Sequence, residues 1–391
     1  YESNKVVDGA LSDAIVGTQG FLSPNKTAET YTGQNPTADI LSFVNKDTGT
    51  NSLVYLTGDG SSLTVSKLSE LNFSTEERLF GQAGKDANNV AILVSYKGAF
   101  AVTDVQQVNF GTQNKRFQGD QAINSWGGGK LDFSGIKTLA FYTDGGQAIN
   151  MQSTSSLSIK EVDTLILDNY QSQEKAANSL YSAIQLMVMA GDNRASADQQ
   201  TVDVNVGNLV IKADSKYTQS AGISVTDQTT DYQGTSSIKG SFTAKNISID
   251  GGTYGIRSNR STENSRDSVL DVTAENSLVV NGGKNAVWLN NEAGHGITFN
   301  AEAANATFTG GEEGVLSENG TASIKADSLT VSGDKSALNF DKGSSLTLAN
   351  KTDSQTANTT LNGNVTIAGS ATFKNQDINQ TAGTFHVSTL D

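Results

Sequence analysis

No cysteine occurs anywhere in this sequence. That excludes a disulfide framework and any thiolate metal site. A chain of 391 residues with no such staple has to be held by a continuous core. Only two prolines are present, which suits a strand-rich chain, because proline removes a ladder donor. Aromatic residues make up 7%, which argues against a conventional large globular core, yet 36% hydrophobic residues are too many for simple disorder. No run approaches the ~20 apolar residues that a membrane helix needs. Tyr1-Glu2-Ser3-Asn4-Lys5 leads into no apolar segment, so the N-terminus does not read as a signal peptide. Basic residues are outnumbered, 27 against 41 acidic, for a net charge of -14. Such a balance disfavours nucleic acid and anionic membranes as partners.

Glycine is plentiful, at 39 residues, and it punctuates a repeat. The unit reads apolar-x-apolar, then a few residues with Gly or Asp, then small-apolar-polar-apolar. Leu139-Ala140-Phe141 is followed by Gly145-Gly146-Gln147-Ala148-Ile149-Asn150-Met151. Leu278-Val279-Val280 is followed by Gly282-Gly283-Lys284-Asn285-Ala286-Val287-Trp288-Leu289. Related copies start at Ile247 and Leu329, and weaker ones at Leu165, Leu209 and Phe308. A third short segment completes each unit, as in Leu131-Asp132-Phe133, Leu270-Asp271-Val272 and Ile297-Thr298-Phe299. Spacing varies: Leu139 to Leu165 is 26 residues, Phe308 to Leu329 is 21 and Leu165 to Leu209 is 44. A short minimum with irregular additions fits coils whose loops accept insertions, and fits neither a propeller nor a leucine-rich repeat. An antiparallel sandwich predicts longer strands and two-residue hairpins, whereas these segments are about three residues long.

Alternation decides the fold. Side chains on a strand point to opposite faces in turn, so Ile149 and Met151 are expected inside and Asn150 outside. Stacked coils then carry apolar columns within and polar columns without. One outward column is expected to run Asp132, Ser158, Asn205, Asp271, Thr298, Ser323, Thr347. Another is expected through Asn124, Asn150, Gln185, Ser224, Arg257, Trp288, Leu316, Asn339. The fold class is therefore all-β, a right-handed parallel β-helix (solenoid) with loop insertions. Residues 1–60 repeat poorly and read as an N-terminal cap with the first coils, and 61–391 as the β-helix proper. Interruptions fall at 169–200 (a short helix, or a strand with a long loop), 226–236, 257–268 and 350–360.

Catalytic chemistry finds little to work with. Gly294-His295-Gly296 matches one element of the polygalacturonases, but the Asn-Thr-Asp, Asp-Asp and Arg-Ile-Lys elements of that family do not occur. His295 and His386 are the only histidines; His386 lies between Phe385 and Val387 at an outward position. Gly58-Asp59-Gly60-Ser61-Ser62 reads as a turn and not as a protease nucleophile. Neither a calcium nonapeptide nor a phosphate-binding fingerprint is found. No metal, no cofactor and no enzymatic activity are expected. Binding candidates are the polar columns, the loop arginines Arg257, Arg260 and Arg266, which suit acidic glycans or an acidic partner, and Trp288, which suits a sugar ring.

With its Gly/Asn/Ser/Thr-rich turns, apolar-x-apolar strands, acidic charge and irregular coils, the stretch 61–390 resembles the passenger domains of classical autotransporters, especially the self-associating adhesin group. The resemblance implies export to the bacterial cell surface and adhesion, with two kinds of partner: a copy of itself on a neighbouring cell, or a host glycan or matrix protein. Members of that group carry a C-terminal translocator barrel. This chain stops at Ser388-Thr389-Leu390-Asp391 without barrel-like segments, so it is expected to be a fragment tethered through a barrel lying outside this sequence, not inserted in the membrane itself. A passive β-helical stalk and a glycan-cleaving β-helix enzyme are the alternatives.

Overall fold

The computed structural model describes residues 6–7, 10–16, 21–23, 28–45, 52–75, 90–170, 182–188, 199–213, 220–227, 237–260, 267–291, 296–352 and 355–390. Among them every regular element is a strand, and the strands stack as a parallel β-helix. Most strands pair with the next but one along the chain, as Gln121–Trp126 does with Gln147–Gln152 and Lys130–Asp144 with Ser156–Tyr170, and from Glu313–Glu318 onwards strands also pair with the very next one. Parallel pairing reaches back to Ala10–Val16, which lies beside Ile40–Asn45, and Val6–Val7 turns back antiparallel onto Ala10 and Leu11.

The strands are longer than the three-residue segments expected. Lys130–Asp144 carries both Leu131-Asp132-Phe133 and Leu139-Ala140-Phe141 as one element. Backbone pairing runs on through the corner between them, from Ser134 to Ile136, because one residue turns the chain in the left-handed region. Gly135 does so at φ 62°, and Lys67, Asp104 and Glu161 do so at 57°, 55° and 54° in the coils beside it. Their neighbours Ser66, Thr103, Ser134 and Lys160 pair in register, so the four bends form one column. Three of the four are not glycine; the ladder on either side of the bend holds them in a conformation that L-residues rarely choose.

The chain divides into two compact units, residues 1–174 with 203–210, and residues 175–202 with 211–391. Inside the first, Phe43, Phe73, Phe110 and Phe141 occupy one register position on four successive coils. Their rings stack nearly parallel, with centroids 5.1, 4.6 and 4.3 Å apart. A second interior column runs Val54, Ile92, Ile123, Ile149. Inside the second unit the column Ile184, Ile223, Ile256, Val287, Val315, Leu338, Val365 is buried throughout.

One coil departs from its expected register. Ala306, and not Phe308, is the counterpart of Leu278 and Leu329, while Phe308 lies between Val280 and Val331. The interior of that coil is lined with Ala301, Ala303 and Ala306, so matching large apolar residues selects the wrong ones. Phe299 and Phe308 fill the space left by the small residues and meet edge to face, with centroids 6.5 Å apart. The interruption at 169–200 contains the strand Ser182–Val188. That at 350–360 is shorter than expected, since a strand resumes at Ala357.

Candidate binding surfaces

The first outward column exists in each unit. In the second it runs Ser241, Asp271, Asn300, Ser323, Thr347, Thr372, each paired in register with the next. Asp271, Ser323 and Thr347 hold the places expected of them. Thr298 does not: it pairs with Val269 and Thr321, two residues from the column, and Asn300 stands in its place. The cause is the alanine-lined coil. A shift of two keeps every side chain on its own face, so alternation cannot detect it. Asn300 Nδ2 donates to Asp271 Oδ1 at 2.8 Å. In the first unit Asp132 is exposed and pairs with the half-buried Ser158. Asn205 is exposed on the strand Gln200–Ala213. Close by, Lys160 Nζ donates to Asp203 Oδ2 at 2.7 Å. That bond and the carboxylate charge raise the Lys160 pKa above its ordinary value. Both side chains are about half exposed, so solvent screening leaves the pair little weight in stability.

The second column is in register as expected: Asn124 beside Asn150 in the first unit, and Gln185, Ser224, Arg257, Trp288, Leu316, Asn339 in the second. Its middle is not a free face. Asn150, Gln185, Ser224 and Arg257 are 2%, 3%, 0% and 0% exposed. Arg257 is thus no loop contact. It sits mid-strand in Tyr254–Arg260, where pairing with Ser224 on one side and Trp288 on the other fixes its place. Its guanidinium lies 5.4 Å from the Tyr254 ring centroid and donates to Ser224 Oγ at 3.1 Å. Trp288 is half-buried; its ring stacks on Tyr254 at 5.0 Å, and its Nε1 donates to Glu318 Oε2 at 2.9 Å. One face of the indole is therefore taken by Tyr254 and its only donor by Glu318. Arg260 ends the same strand, Arg266 lies outside the described residues, and so does His295. His386 is exposed opposite Thr366.

Burial pushes the Arg257 guanidinium down to about 10, well below its ordinary value, with Tyr254 acting in the opposite direction. The folded protein therefore releases this proton before the unfolded chain does, and folding gains stability as pH rises above about 10. Arg257→Met removes the charge and keeps the length. We expect the variant to equal or exceed the natural chain in urea midpoint at neutral pH, since burying a cation is costly. Its advantage should shrink as pH rises above about 10. A gap that does not change with pH would mean that the guanidinium is solvated.

A feature that the repeat pattern left unread lies in the first unit. Residues 111–116 replace Tyr142 alone of the following coil, since Phe110 pairs with Phe141 and Phe117 with Thr143. The insertion is a tight hairpin. Gly111 and Arg116 bridge antiparallel, Thr112 N donates to Lys115 O at 2.8 Å, and Lys115 N donates to Thr112 Oγ1 at 3.0 Å. Arg116 Nη1 donates to the Asp168 carbonyl at 2.7 Å and to its carboxylate at 3.0 Å. The guanidinium also lies 5.4 Å from the Tyr170 ring centroid. Between hairpin and coil opens a cleft of about 470 Å³, with Asn114, Lys115, Gln118, Asp144 and Tyr170 among its lining. The signal was available: Phe110 to Ile123 is longer than Phe141 to Ile149.

The chain matches no family model, no curated protein and no solved structure.

Proposed function

We propose that the chain is a β-helical adhesion module displayed on a bacterial surface, of the autotransporter passenger kind, which associates side by side with a second copy. One observation carries this reading: the straight outward column Ser241, Asp271, Asn300, Ser323, Thr347, Thr372. It is almost free of charge, so two copies can meet there despite a net charge of -14. Short hydroxyl and amide side chains lose little rotamer entropy on ordering. Each such contact is worth about 0.5–1.5 kcal/mol, and a rigid repeat adds them along its length.

The test is sedimentation of the purified chain over a range of concentrations, beside the combined variant Asn300→Arg, Ser323→Arg and Thr347→Arg. These side chains point outward, so the fold should survive. The natural chain is expected to form a dimer with rising concentration and the variant to stay monomeric, with about a tenfold or greater loss of association. Cells displaying the variant should stay dispersed. A natural chain that is monomeric throughout would overturn self-association and turn the search to host glycans and matrix proteins.

A further inference from the structure

We infer that the cleft under the hairpin of residues 111–116 is a binding site for a neutral sugar, taking one pyranose ring against Tyr170. The ligand class follows from what lines it. Tyr170 is 43% exposed, one of few large aromatic or apolar side chains left so open among the described residues. The Arg116 guanidinium covers one face of this ring at 5.4 Å from its centroid, and the other face offers a flat apolar surface that suits the C–H face of a pyranose. Around it stand Asn114, Gln118 and Asp144. These are planar donors and acceptors of the kind that bridge neighbouring sugar hydroxyls. A volume of about 470 Å³ holds one or two sugar rings.

Charge argues against the obvious rivals. Arg116 is already ion-paired with Asp168, and Lys115 and Asp144 bring one charge of each sign to the lining. No surplus cation remains for a phosphate, a sulfate or a uronate. The lining is also too polar for a lipid or an apolar peptide anchor.

The site is preorganised. Gly111 turns at φ 69°, where a side chain would strike the backbone of Phe117 and Tyr142, so the hairpin leaves the coil in one direction only. The bonds of Arg116 to Asp168 tie its base to the second coil on. A tip locked in this way spares the ordering cost that a mobile loop meets on binding. The cleft shares no residue with the outward column, and sugar binding is read whatever the association state of the chain. Either reading can therefore fail alone.

The experiment is saturation-transfer NMR on the full chain with glucose, galactose, mannose and N-acetylglucosamine, and with glucuronic and N-acetylneuraminic acids as charged comparators. At least one neutral sugar should show transfer, strongest at ring C–H protons. Tyr170→Ala should weaken binding about tenfold or more, whereas Tyr170→Phe should preserve it. Asn114→Ala, at the exposed tip, should weaken binding several-fold with the unfolding midpoint unchanged, which separates recognition from folding. Transfer to none of the neutral sugars, transfer only to the acidic ones, or binding indifferent to both Tyr170→Ala and Asn114→Ala would overturn the inference.

Discussion

Phe110→Ala is expected to lower the stability of the folded chain by about 3–5 kcal/mol. Phe110 is fully buried and central in a file of four phenylalanines, with ring centroids 4.6 Å from Phe73 and 4.3 Å from Phe141. Truncation removes the transfer energy of one ring and leaves a gap that neither neighbour can close. Each of those rings is held at its coil's spacing by backbone pairing, so the stack cannot collapse along its axis. In a solenoid each coil rests only on its neighbours, so the loss should be concentrated around the mutated coil. Urea unfolding gives the total, and hydrogen exchange shows whether amides of the strands Ala99–Phe110 and Lys130–Asp144 lose protection first. Phe110→Leu keeps most of the volume and should cost under about 2 kcal/mol. Equal midpoints for Phe110→Ala and the natural chain would mean that the file contributes nothing as a core.

Gly310→Ala is expected to be among the most damaging single methyl groups in the second unit, at about 2–4 kcal/mol. Gly282, Gly310 and Gly333 share one register position at a corner of three successive coils. The backbone doubles back so sharply there that a Cβ on Gly310 would run into the carbonyl oxygen of Glu313 three residues on. Conformational freedom is not the reason, since Gly310 is not among the positive-φ glycines. The requirement is space, and a carbonyl that moved would lose its own ladder partner. Gly296→Ala is the control, because a Cβ there meets nothing closer than the Asn319 carbonyl at 3.6 Å. A thermal shift no larger for Gly310→Ala than for Gly296→Ala would show that the corner can open freely.

Where sequence reasoning succeeded, the reason was geometric. Stacked parallel coils put the same side chain at the same place each turn, and a strand alternates its faces strictly. Leu139 beside Leu165, Arg257 beside Trp288 and Ser323 beside Thr347 all follow from that repetition. Where the interior residues shrank to alanine the same reasoning slipped by two, and Thr298 took the place of Asn300. The bends at Lys67, Asp104 and Glu161 were illegible for another reason: residues that seldom adopt a left-handed backbone are held in it by neighbouring coils.

The sequence by itself determined that this chain is an all-β parallel solenoid without disulfides, which side chains face in and which face out, and that its surface is acidic. Those are properties of period and composition, and period survives any arrangement of loops. Exposure was decided only in three dimensions. Arg257 faces outward by alternation and yet is buried between Ser224, Tyr254 and Trp288, residues that lie 33, 3 and 31 positions from it in the chain. Tyr170 and Asn114 meet across one cleft only because a six-residue hairpin replaces a single residue of the coil. Facing is set by the strand a residue belongs to, whereas burial and site formation depend on which neighbours the stack brings against it.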